Sequence, residues 1–241
     1  IGTIESLDGM KFETDPCTVE KIGYKKGKVK EPLLVCGKDK ALKCGEEFKV
    51  FNYGFYRKTE KEIKIGYLYP RNSYDLMKAV VNGIYTFAKL GKYHGEKDLY
   101  TMAGLLDLDV KAMVREEYEL GDITDYKRAA NKLQKIEGID LVIALVPDGM
   151  EEDGPYNPFK IIWAKANIPS QMISMKTAKL FAEEAKEGNK AKNNSRYYLH
   201  NIILGILGKT GGIPWVVKDM PGNVDCFVGL DVATIAKGIH Y

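Results

Sequence analysis

Ile139–Pro147, IDLVIALVP, decides the fold. Its apolar residues run on almost without a break and the run is closed by a proline, so it is too short for a helix of its own. An alternating pattern would give a strand with one wet face. A continuous run gives a strand covered on both faces, as in a parallel sheet. Working outward, Ile63–Pro70 (IKIGYLYP) is a second strand of this kind, and Asp109–Leu120 (DVKAMVREEYEL) alternates as a third. Ser170–Met175 (SQMISM) and Ile213–Val217 (IPWVV) read as further strands. Between them lie helical patterns: Ser73 caps one to about Leu90, and Asp122 or Thr124 caps another to about Glu137. A short helix follows Asp153 or Asn157, with Pro155 or Pro158 in its first turn, and another spans Ser195–Gly208. Strands separated by helices predict an α/β, Rossmann-like parallel sheet with helices on both faces. No GxGxxG fingerprint is present, so dinucleotide binding is not expected.

Residues 1–60 lack this rhythm and read as a β-rich arm, with short strand-type runs at Pro32–Val35 and Phe48–Phe51. Residues 61–220 form the α/β domain. Val224–Val232 (VDCFVGLDV) is a last strand that opens a new unit over 221–241. The chain has 241 residues, 45% of them hydrophobic, without an apolar run of membrane-spanning length, so no membrane partner is expected. It starts at Ile1 without a visible leader, and its four cysteines have no CxxC spacing, which favours a reducing, cytoplasmic setting over a zinc site. A disulfide among Cys17, Cys36 and Cys44 is the alternative to free thiols. Ten Lys or Arg against three acids leave Pro155–Lys218 at +7, so within a net charge of +3 the remainder carries −4. That asymmetry points to a polyanionic partner for one lobe. A solvated Lys-rich helix face around Lys179–Lys192 is the plainer reading of part of it.

Candidate binding residues lie in this basic segment. In Tyr156–Thr177 (YNPFKIIWAKANIPSQMISMKT), Tyr156 and Lys160 are one helical turn apart, shortly after the central strand. Ligands of open α/β sheets sit beyond the carboxyl ends of the strands, which places this pair there. A phosphate on Lys160 with a base stacked on Tyr156 is a coherent arrangement; packing and solvation are the bland alternative. In YYLHNIILGILGKTGG, Asn201, Gly205 and Lys209 share one stripe of a helix whose other faces are apolar. Glycine inside a helix costs about 1 kcal/mol against alanine, so close approach of a ligand or of another backbone is expected at Gly205. Helix packing, with Lys209 complementing the C-terminal dipole, is the other reading.

Tyr-x3-Lys at 156–160, IPSQ at 168–171, LHNIILGILGKTGGIPW at 199–215 and VDCFVGLDV at 224–232, in this order, resemble the MID domain of Argonaute/PIWI proteins running into the start of PIWI. FNYGFY at 51–56 is similar to the linker before MID. The resemblance covers about residues 60–241. It implies a prokaryotic guide-binding module that anchors the 5′-phosphorylated end of a small guide DNA or RNA, with a target strand as a further partner. It implies that Tyr156 stacks on the first base, that Lys160, Gln171 and Lys209 hold the 5′-phosphate, and that Asn201 and Thr177 contact the guide end.

The resemblance also implies two departures. Eukaryotic members carry a second lysine where this chain has Gly205. Prokaryotic members use a divalent ion bridging guide phosphates and the protein's C-terminal carboxylate, which makes Mg²⁺ the implied cofactor and Gln171 its protein ligand; with the sequence given ending at Tyr241, that ion is expected to be weak. Asp231 resembles the first carboxylate of the PIWI nuclease site. One carboxylate cannot position a metal pair, so the chain alone is expected to be inactive, and Asp231 catalytic only in a complete PIWI domain of a guide-directed endonuclease. A Rossmann-like domain for a small anionic metabolite is the remaining alternative.

Overall fold

A computed structural model of the chain describes residues 2–5, 11–14, 31–59, 62–90, 106, 108–149, 156–187, 195–218, 234–236 and 239–240. It divides into two units, Ile1–Glu31 and Pro32–Tyr241. In the first, β1 (Gly2–Glu5) and β2 (Lys11–Thr14) pair as an antiparallel hairpin.

The second unit is built on a parallel sheet of β5 (Ile63–Pro70), β6 (Leu108–Tyr118), β7 (Leu141–Val146) and β8 (Ser170–Ser174), in the order β6-β5-β7-β8. Every residue of β7 is buried, which is why its apolar run has no polar gaps. Its alternate residues feed two cores. Leu141, Ile143 and Leu145 face the helices α2 (Tyr74–Leu90), α5 (Met175–Glu187) and α6 (Ser195–Lys209). Val142, Ala144 and Val146 face α3 (Ile123–Gln134) and α4 (Tyr156–Lys165), with Tyr126, Phe159 and Trp163 at the centre. The second core holds polar atoms that find partners: Trp163 Nε1 donates to the Tyr126 hydroxyl at 2.7 Å, and the Tyr118 hydroxyl donates to the Leu145 carbonyl at 2.7 Å. The expected fold class is therefore the one observed, and Asp122 is the cap of α3, its carboxylate accepting from the Thr124 and Asp125 N–H groups.

Two local expectations are corrected. Phe48–Phe51 is helical: a 3₁₀ turn at Glu47–Lys49 runs into α1 (Val50–Tyr53), whose Val50 and Phe51 are fully buried. A four-residue apolar run carries no period, so only its packing decides between helix and strand. Ile213–Val217 does not join the parallel sheet. Its strand is only β9 (Val216–Val217), which pairs antiparallel with β3 (Leu33–Val35) beside β4 (Ala41–Lys43). Gly211, at φ +87°, turns the chain after α6, and Ile213 bridges back to Arg57. The arm from Pro32 onward thus shares the core of α2 and α6 through Leu34, Leu42, Phe51 and Phe55. Cys36 and Cys44 are free thiols, so no disulfide joins them, and Cys17 lies outside the described residues. The last described strands, β10 (Thr234–Ala236) and β11 (Ile239–His240), pair antiparallel; the strand expected over Val224–Val232 lies outside the described residues. Among the described residues no helix is long and apolar enough to cross a membrane.

Candidate anion-binding site

Among the described residues β8 is an outer strand of the parallel sheet, and successive strand residues point to opposite faces. Met172 packs with the α3/α4 core and Ile173 with the α2/α5/α6 core. By the same alternation Ser170 belongs to the α4 face and Gln171 to the α6 face. Each receives a lysine from its own side. Lys160 on α4 donates from Nζ to Ser170 Oγ at 2.9 Å and to the Ser170 carbonyl. Lys209, the last residue of α6, donates to Gln171 Oε1. Local packing explains both positions. Phe159 and Trp163 pin α4 inward and leave Lys160 at the margin of the core. Leu199, Ile203, Ile206 and Leu207 pin α6 and leave Asn201, Gly205 and Lys209 on its outer stripe. The start of α6 is fixed by Glu184 of α5, whose buried carboxylate accepts from the Ser195 N–H at 3.1 Å and from its hydroxyl.

The Lys160 ammonium is close enough to disfavour the charge on Lys209. Burial and then the charge of Lys160 lower Lys209 to about 8, and burial lowers Lys160. Lys209 is exposed as a residue, while its amine lies against Gln171 and Gly205. Both amines are met by neutral oxygens, and among the described residues neither has a carboxylate within ion-pair distance; surface lysines such as Lys49 and Lys132 do, in Glu46 and Glu116. Two such cations, without a counter-charge among the described residues, make a seat for an anion. Gly205 is explained here too. A Cβ on it would stand 2.8 Å from Gln171 Oε1, so the close approach in this structure is made by a side chain and not by another backbone.

The site lies beside the strand edge and not above the carboxyl ends, which corrects the placement expected from sheet topology. Gln171 is level with Ile143 in mid-strand. Nearer the carboxyl end, Ser174 accepts from the Thr177 N–H at 3.2 Å and its hydroxyl pairs with Thr177 Oγ1 at 3.0 Å, while Asp148 accepts from the Lys176 N–H at 2.6 Å. These bonds cap α5. A cavity of about 210 Å³ runs from Gln171 past Ser174 and Thr177 to Asn201 and Tyr198. The structure therefore brings Gln171, Thr177 and Asn201 to one cavity, with Lys160 and Lys209 at Ser170 and Gln171. Tyr156 is the first residue of α4, one turn before Lys160; the stacking expected of its ring lies outside the described side chains. Asn157 stands inside the first turn of α4 and is not its cap, and Asp153 and Asp231 lie outside the described residues. Ser170 and Tyr198 were not singled out from the sequence. The alternation of SQMIS, once set on an edge strand, was the available signal for Ser170.

The donor set does not fit Mg²⁺. That ion takes carboxylates and phosphates as oxygen ligands. Gln171 offers one neutral oxygen, which already accepts from an ammonium group, and no cluster of three His, Cys, Asp or Glu side chains occurs among the described residues.

No protein-family model matches the chain. It is 32% identical over 111 residues to the "Protein argonaute" of Aquifex aeolicus (strain VF5), covering 44% of this chain and 14% of that protein. It is similar in structure to Clostridium butyricum Argonaute bound to a guide DNA (5′ deoxycytidine) and a 19-mer target DNA: TM-score 0.73, 41% identity, 99% of this chain and 31% of that one. The Argonaute of Methanocaldcoccus janaschii matches at TM-score 0.50 over 78% of this chain and 27% of that one; at 14% identity this speaks to fold alone. The chain thus spans less than a third of the length of each of these relatives.

Proposed function

The chain belongs to the Argonaute family, and on that premise we propose that it binds a guide nucleic acid by its 5′-phosphorylated end, in the MID manner. The observation that carries the reading is the convergence of Lys160 and Lys209 on consecutive residues of β8, without a carboxylate beside either amine among the described residues. A terminal phosphate is a dianion near neutral pH and offers three acceptor oxygens. It supplies the charge that both ammonium groups lack, and each charge-assisted bond contributes roughly 1.5–3 kcal/mol. Gln171 can turn its amide NH₂ toward a phosphate oxygen, while Tyr156 carries the first base. The solved relative with bound guide and target DNA supports a nucleic-acid ligand over a small metabolite.

Residues 61–220 act in this reading as the MID domain, residues 1–60 as the arm before it, and 221–241 as the start of PIWI. Anchoring follows from the lysine pair alone, and no step is assigned to Mg²⁺. Cleavage belongs to a complete PIWI domain containing Asp231. The free thiols of Cys36 and Cys44 accord with a reducing, cytoplasmic setting.

The test is a titration of the chain with one oligonucleotide bearing either a 5′-phosphate or a 5′-hydroxyl. Loss of one to two charge-assisted bonds predicts at least about tenfold weaker binding of the hydroxyl form. Equal affinity for the two ends rejects the anchor.

A further inference from the structure

The cavity that starts at Gln171 differs in chemistry from the lysine pair beside it. Among the described residues, none of the side chains lining its 210 Å³ is charged. Its floor includes the buried Ile173, and its polar side chains include the hydroxyls of Ser174, Thr177 and Tyr198 and the amides of Gln171 and Asn201. Its outer wall is Tyr198, a large aromatic left 49% exposed at the start of α6. An exposed tyrosine can be incidental, but this one closes a cavity contiguous with a cationic seat. Tyr198 and Lys209 are eleven residues apart on the same helix, so about 16 Å of helix axis separates the two ends of the trough. α6 lies along β8, with Lys209 at Gln171 and Asn201 near Ser174 and Thr177, so the trough follows the strand edge.

A neutral, partly apolar cavity with an aromatic wall has no use for a phosphate and suits a nucleoside. Resting on the anchoring proposed above, we infer that this cavity is a second nucleoside subsite, in which Tyr198 stacks on the base that follows the anchored nucleotide and Asn201 meets its edge or sugar. Tyr156 serves the first base from α4, on the opposite face of the sheet, so the two aromatics are not redundant. The subsite makes capture depend on two nucleotides in place of a lone terminal phosphate. Stacking tolerates any base, so this subsite confers grip and not sequence choice.

The test compares the chain with its Tyr198→Ala and Tyr198→Phe variants, titrated with 5′-phosphorylated oligonucleotides that are intact or abasic at the second position. Loss of one base stack predicts at least about fivefold weaker binding for Tyr198→Ala, and no loss for Tyr198→Phe. The abasic strand should weaken binding by the chain to the same extent and have no further effect on Tyr198→Ala. Independent, additive losses overturn the subsite, as does an unaltered affinity of Tyr198→Ala. Because Tyr198 is half exposed, the variant's thermal midpoint should match that of the chain; a lowered midpoint together with additive losses assigns Tyr198 to packing and also overturns the subsite. The 5′-phosphate to 5′-hydroxyl ratio is read in the same series. A ratio of one rejects the anchor, whereas a high ratio with an inert Tyr198 rejects the subsite only.

Discussion

Lys160 and Lys209 leave helices on opposite faces of the sheet and end on neighbouring residues, Ser170 and Gln171, of its outer strand. An edge strand is the one place in such a sheet where two faces can be reached at once. The same edge leaves strand groups unpaired, and here helices and cations flank it. Charge brought together in this way is costly without a ligand, and that cost is recovered when an anion binds. Lys209→Ala and Lys160→Ala should each weaken binding of a 5′-phosphorylated strand by roughly 10- to 150-fold, the equivalent of one charge-assisted bond. Each should also reduce the slope of log affinity against log salt by about 0.7. Lys192 lies outside the described residues, in the Lys- and Asn-rich stretch 188–194, and Lys192→Ala should cost much less. A larger loss from Lys192→Ala than from Lys209→Ala contradicts the site.

Gly205→Ala separates binding from folding. The added methyl would stand 2.8 Å from Gln171 Oε1, the far end of a flexible side chain that can swing aside. The helix gains up to about 1 kcal/mol of propensity at a mid-helix position. The thermal midpoint should therefore hold or rise, while Gln171 loses its place beside Lys209 and affinity for the 5′-phosphate falls. A variant that binds as well as the parent shows that the Gln171 position is immaterial.

The strands of the parallel sheet were legible because burial on both faces leaves long apolar runs, as in Leu141–Val146. Lys160, Gln171 and Lys209 were legible as a set only through the resemblance; taken singly, each admitted a bland reading. What the sequence hid was tertiary. Nothing in IPWVV says that Val216 and Val217 pair with Leu34 and Val35 in another sheet, since that depends on a turn at Gly211 and on an arm some 180 residues earlier. The role of Gly205 was hidden for a similar reason. Its space is filled by Gln171, 34 positions away, and close approach alone does not name the visitor.

His200 predicts acid sensitivity of the arm-bearing core. Its ring is buried and stacks on Phe51 at 4.5 Å, with Phe48 and Phe87 at 5.1 and 5.5 Å. Burial first, and then the charge of Arg196, lower its pKa from 6.5 to about 4. The unfolded chain takes up a proton below pH 6.5 that the folded chain refuses until about pH 4, so stability falls as pH drops through that window. The full shift corresponds to on the order of 3 kcal/mol. Denaturation midpoints measured between pH 7 and 4 should fall more steeply for the parent than for His200→Phe. Parallel pH profiles remove His200 as the cause.

Lys209 sets the alkaline limit of anchoring. With its amine titrating at about 8 in the free chain, it is mostly charged at pH 7. A bound phosphate favours the charged form and raises that value, so binding above pH 8 requires uptake of a proton and weakens as pH rises. On the acid side the phosphate itself loses its second charge near pH 6. Affinity for a 5′-phosphorylated strand should thus be greatest between about pH 6 and 8 and decline on both sides, whereas a 5′-hydroxyl strand should show neither limb with comparable size. Lys209→Arg keeps its charge to beyond pH 12. Where that variant still binds, its alkaline limb should move upward, leaving only what Lys160 contributes, because burial lowers Lys160 as well. An alkaline limb unchanged in Lys209→Arg assigns the titration to another group and leaves Lys209 outside the phosphate's reach.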